Sequence, residues 1–167
     1  SAASDVYKRQ TIGRLNSNLW KPTMGADWRQ RAGRITVTEK GHGFGGRALC
    51  LYEKKIPELP YEVKVDVKLN DESGAAGLIF ESDGGDKHYG FYPSGGKMRL
   101  TRFEGPDVLS WSILNETQSN YYELGEWNNI RVRVEKEKLI TFLNGERLFE
   151  IKDCLLYTSP SPRDRVQ

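Results

Sequence analysis

Residues 75–111 constrain the fold most. They hold three short runs rich in aliphatic and aromatic residues, cut by two glycine-rich breaks, Asp83-Gly84-Gly85-Asp86 and Ser94-Gly95-Gly96. Each run is too short for a stable helix. Glycine at the breaks admits the positive φ that tight hairpins need. The stretch therefore reads as a three-strand meander. Such a meander is not stable alone in water, so the rest of the chain must supply a facing sheet.

The flanking sequence offers suitable strands. Over residues 61–69, Tyr61, Val63, Val65, Val67 and Leu69 alternate with Glu62, Lys64, Asp66 and Lys68. One face is buried and one is wet, as in an antiparallel sheet, and the mixed charges read as a solvated surface. Residues 127–135 repeat the pattern, with Ile130, Val132 and Val134 inward and Arg131 and Arg133 outward. Asn144-Gly145 between two apolar runs marks a type I′ hairpin. Further strands are expected at 27–31, 34–39, 47–53 and 108–114, whereas 11–26 reads as irregular around Trp20. About ten to eleven strands with regular turn signals, and no helix, indicate a sandwich or jelly roll.

The two ends look foreign. Residues 1–10 and 154–167 resemble peptides translated from sequencing-adapter DNA, and they are set apart from the expected domain at 11–153. The chain carries 25 basic and 23 acidic residues; setting aside four basic and two acidic ones in these ends leaves 21 of each. No basic footprint for nucleic acid remains. No apolar run reaches membrane-span length. With Cys154 in the tail, Cys50 is a lone small core residue, and no disulfide is expected.

Two groups of side chains suggest chemistry. Glu81 and Asp83, followed by Asp86, loosely match the spaced carboxylates of retaining glucanases, where alternate positions on one strand point into a cleft. Gly84-Gly85 puts a turn where the third carboxylate should be, and aspartates at turns commonly bond the backbone instead. Asp83 and Asp86 also offer oxygen ligands of the kind calcium takes; calcium is the one cofactor left open, and no other is expected. The aromatic group carries more weight. Tyr89, Tyr92 and Trp111 lie near Arg99 and Arg102, and aromatic walls with a few polar groups suit a sugar ring. The competing reading is cross-strand packing of aromatics.

The runs from Gly77 to Phe80 and Tyr89 to Tyr92, with Trp127 to Ile130 and Leu143 to Gly145, carry a family likeness. Together they resemble the concanavalin A-like lectin/glucanase superfamily, and more closely laminin-G-like domains and the 3-keto-disaccharide hydrolase domain. The resemblance implies an all-β, antiparallel β-sandwich of the concanavalin A-like jelly-roll type. It implies a glycan or polysaccharide partner for a monomeric domain within a larger secreted bacterial protein, placed extracellularly or in the periplasm. Alternatives are hydrolysis of 3-keto-glycosides or other glycosidic bonds, and a laminin-G-like adhesion module. Two departures stand out. Glu72-Ser73-Gly74 replaces the Asn-Ser-Gly of hydrolase-type domains, and the family's last strands would follow Asp153. A sandwich truncated at its C-terminus, with one unpaired edge, is therefore expected.

Overall fold

The computed structural model describes residues 14–37, 39–43 and 46–153, with Val108 described in its backbone only. The two terminal peptides set apart above lie outside the described residues. The chain divides into two compact units, residues 1–55 and 56–167. No helix of the described residues is long and apolar enough to cross a membrane.

The first unit contains two antiparallel pairs. Strand β1 (Trp20–Thr23) pairs with β4 (Leu49–Tyr52), and β2 (Trp28–Arg31) pairs with β3 (Arg34–Val37). The expected irregular segment at 11–26 is thus corrected by β1. Lys21 and Pro22 hide it from pattern reading, but a proline is tolerated in a strand with a free edge, as in this two-stranded ribbon. Cys50 is half-buried rather than in a core; burial still pushes its thiol up to about 11.

The second unit is a sandwich of two four-stranded antiparallel sheets. One has the order β12 (Glu146–Lys152), β11 (Lys138–Leu143), β10 (Asn128–Glu135), β5 (Tyr61–Val67). The other is a sequential meander of β6 (Leu78–Phe80), β7 (His88–Ser94), β8 (Lys97–Phe103) and β9 (Trp111–Thr117). Together they give the expected β-sandwich of the jelly-roll type. The strand expected at 108–114 starts later, because Val108–Ser110 forms a 3-10 turn.

The core lies between the two sheets. Phe91, Met98 and Leu100 from the meander and Ile130, Val132, Val134, Leu139 and Leu143 from the other sheet are fully buried. Phe91 meets Phe149 edge-on at 6.0 Å. The alternation in β10 is complete, with every second residue buried. In β5 it weakens: Val65 is 38% exposed, since β5 is an edge strand. On the far side of that sheet Arg131 pairs with Glu62 at 2.9 Å and lies 3.8 Å over the Phe142 ring. These are exposed pairs, each worth under ~1 kcal/mol.

Turn chemistry sets the register. Asn144 and Gly145 both take positive φ, as a type I′ turn demands. Gly77 has a different reason: a Cβ there would lie 2.5 Å from the Phe91 carbonyl oxygen. Only glycine lets β6 approach β7 so closely. Ile130→Ala should lower unfolding free energy by about 3 kcal/mol, whereas Val65→Ala should cost under about 1 kcal/mol. Chemical denaturation checks this; equal losses would mean that the interior is not where the two sheets meet.

Candidate functional site

Strand parity decides what the meander can display. Tyr89, Phe91 and Pro93 of β7 pair with Arg102, Leu100 and Met98 of β8, and this set faces the core. His88, Gly90 and Tyr92 pair with Phe103, Thr101 and Arg99, and this set faces away from it. The five aromatic and basic candidates therefore divide between two sides of one sheet.

Tyr89 and Arg102 belong to the inner side, apart from Tyr92, Arg99 and Trp111. Tyr89 is 2% exposed and stacks on Phe80 at 5.6 Å. Its hydroxyl donates to Asp153 Oδ2 at 2.8 Å, and Arg102 Nη1 donates to the same oxygen at 2.7 Å. Asp153 is itself buried, so its charge is matched where it sits. Burial, then the hydrogen bond to Asp153, pushes the Tyr89 phenol far above the ordinary tyrosine range. Burial alone would lower the Arg102 guanidinium; the bond and charge of Asp153 outweigh it and raise it. The trio ties the end of β12 to the meander and presents no ring face to solvent.

Tyr92, Arg99 and Trp111 do come together on the outer side, with His88 and with Phe103, Thr101 and Glu116, the last three passed over in the sequence reading. Phe103 stacks with His88 at 4.7 Å and with Tyr92 at 6.5 Å, and Trp111 meets it edge-on at 4.9 Å. The Tyr92 hydroxyl and the Thr101 hydroxyl share a hydrogen bond of 2.8 Å. Glu116 takes two bonds from Arg99, at 2.8 Å from Nε and 2.6 Å from Nη2. Both converge on the one oxygen Oε2, and together they hold the guanidinium plane. Hydrogen bonding from Arg99 holds the Glu116 carboxyl below its usual value.

The arrangement is a ring cluster in which Phe103 and His88 are buried and Tyr92 and Trp111 are part-exposed, with a pre-aligned charged pair at one edge. Gly90 belongs to it, because a Cβ there would press on the Phe103 and Tyr92 rings at 3.0 and 3.2 Å. Arg99 and Glu116 are each about a third exposed, and Ile113 beside them is 56% exposed. Such a surface can stack an apolar ring face and hydrogen-bond its rim.

The carboxylates at 81–86 are placed differently. β6 ends at Phe80, so they do not alternate along one strand. Glu81 takes a positive φ of 51°, is buried, and accepts a 2.6 Å bond from the Tyr61 hydroxyl. Asp83 accepts from the Gly85 and Lys87 amides at 2.8 and 3.2 Å, a turn role. Asp86 sits in the same hairpin loop, half-buried. Among the described residues no group of three or more His, Cys, Asp or Glu side chains is placed to hold a metal ion.

A family described as the 3-keto-alpha-glucoside-1,2-lyase-like domain matches residues 13–162. Among solved structures, the carbohydrate binding module CBM66 from Bacillus subtilis superimposes with a TM-score of 0.64 at 15% identity, over 86% of this chain and 81% of that one. At that identity the likeness establishes the fold. Sheep galectin-11 in complex with glycerol aligns over 58% of this chain and 80% of that one, at 11% identity and a TM-score of 0.39, too loosely to support an argument. No curated protein matches the sequence.

If Arg102 serves Asp153 rather than a ligand, Arg102→Met should cost about 3 kcal/mol by stranding a buried carboxylate, and Tyr89→Phe about 1 kcal/mol. Denaturant titration measures both. An Arg102→Met chain as stable as the parent would contradict the structural role.

Proposed function

The chain belongs to the family of 3-keto-alpha-glucoside-1,2-lyase-like domains, and from that premise we propose that it binds carbohydrate on the outer face of the β6–β9 sheet. One observation carries the reading: Tyr92, Phe103 and Trp111 line the same face as the locked Arg99–Glu116 pair. The part-exposed Tyr92 and Trp111 rings supply apolar area for the C–H side of a pyranose, backed by buried Phe103. Arg99 donates to hydroxyl or carbonyl oxygens and Glu116 accepts from hydroxyls. Because Glu116 already holds Arg99 in place, little side-chain entropy is lost when a sugar docks. The fold-level likeness to a carbohydrate binding module agrees with this use of the scaffold. A polysaccharide ligand would be met outside the cytoplasm, so an extracellular or periplasmic setting goes with the reading.

A second reading, cleavage of a 3-keto-α-glucoside, is favoured by the family description. Incubation with such a glucoside separates the two: new sugar products would add turnover, and recovery of the substrate intact would leave binding alone.

Trp111→Ala and Arg99→Ala should each weaken binding of a gluco-oligosaccharide by about tenfold, with melting temperature lowered by less than about 5 °C. Phe142→Ala, on the far sheet, should leave affinity unchanged. Calorimetric titration with a parallel thermal melt checks this. Unchanged affinity in both outer-face variants would remove the proposal.

A further inference from the structure

Thr101 stands on the outer side of β8, opposite Gly90, and is 1% exposed. A valine there would fill the same space and leave no buried hydroxyl to satisfy. Among the described residues the Thr101 hydroxyl bonds Tyr92 alone, at 2.8 Å. The bland explanation is that Tyr92 serves Thr101, by pairing a hydroxyl that burial would otherwise strand. The geometry favours the reverse.

Tyr92 lies opposite Arg99, not opposite Thr101. To reach the threonine its ring leans along β7 over Gly90. The missing side chain of Gly90 makes room, since a Cβ there would stand 3.2 and 3.3 Å from Tyr92 Cε1 and Cδ1. A part-exposed tyrosine without such a tether would sample other rotamers. The same phenol also meets the charged pair. Burial alone would lower the Arg99 guanidinium; hydrogen bonds to Glu116 and to Tyr92 outweigh it and raise it. Lys97 Nζ approaches the other Glu116 oxygen at 3.6 Å. Thr101, Tyr92, Arg99 and Glu116 thus form one chain of bonds across β7, β8 and β9, with Thr101 as its buried end. The Tyr92 hydroxyl is engaged by Thr101 and by Arg99, which leaves the ring as the part of Tyr92 that a ligand can meet.

We propose that Thr101 is a positioning residue for the outer face, and that a sugar meets Tyr92 by C–H contact with the ring rather than through the phenol hydroxyl. The inference rests on the carbohydrate reading above. Gly90 gives the ring its place and Thr101 holds it there, so the ring is ordered before the ligand arrives. The ligand's hydroxyls are then met at Arg99 and Glu116, and the part that lies on Tyr92 is an apolar patch of sugar ring.

The test is calorimetric titration of maltohexaose into the full chain, with a thermal melt of every variant. Thr101→Val keeps the volume and should weaken binding about threefold to tenfold, with melting temperature changed by less than about 3 °C. Thr101→Ser keeps the hydroxyl and should retain most of the wild-type affinity. Tyr92→Phe keeps the ring but cuts the tether, and should weaken binding by a similar factor. Adding Thr101→Val to Tyr92→Phe should cause no further loss, which a general packing role for Thr101 would not produce. Wild-type affinity in Thr101→Val, or losses that multiply in the double variant, overturns the inference; the outer-face reading stands if Trp111→Ala and Arg99→Ala still weaken binding. If neither of those two variants changes the affinity, the outer-face reading falls and this inference falls with it. Should Thr101→Val melt far below the parent, Tyr92→Phe decides alone, and unchanged affinity there overturns the inference.

Discussion

In a regular strand, side chains five residues apart point to opposite faces. Trp111 and Glu116 are five apart, yet both lie on the outer side of the meander. The register of β9 against β8 shifts between Leu100 and Thr101, and Leu114 is the extra residue. That bulge resets the parity, so that Leu114 packs against the core and Glu116 arrives opposite Arg99. Without it Glu116 would face inward, and Arg99 would lose the carboxylate that fixes its plane. The site depends on this single inserted residue. Bulges commonly re-aim side chains in this way.

The inner side makes a different use of charge. Asp153 and Tyr89 are buried and Arg102 half-buried beside them at the sandwich's end, each bonded to another member. Replacing such a set with apolar residues can be neutral, whereas removing one partner strands the others. The trio therefore holds one alignment of β12 against the meander more than it adds net stability. Apolar contact between the sheets supplies the stability, and the Thr141 hydroxyl, bonded to the Phe149 carbonyl at 3.2 Å, spans a second register shift in the facing sheet.

Much of this fold can be read from the chain. Strict alternation marks β5 and β10, Asn144-Gly145 marks the β11–β12 turn, and the glycine breaks mark the meander. The strand β1 is not legible, because Pro22 and Lys21 break any β pattern and a two-stranded ribbon is free to tolerate them. The site is legible only in part. Tyr89 and Tyr92 are three apart, as are Arg99 and Arg102, so simple parity already places each pair on opposite faces. Proximity in sequence obscures that. Glu116, Thr101 and Phe103 carry no signal of their own, since their place on the outer side follows from cross-strand register and from the bulge. Asp153 follows the last described strand, and its partners lie 64 and 51 residues away, a contact that no local pattern encodes.

The most direct measurement is a map of amide chemical shifts during titration with maltohexaose. The account predicts that shifts concentrate on Tyr92, Arg99, Trp111 and Ile113, with Arg131, Phe142 and Glu150 on the opposite sheet unmoved. Shifts confined to the opposite sheet, or to the buried trio at Asp153, would contradict it.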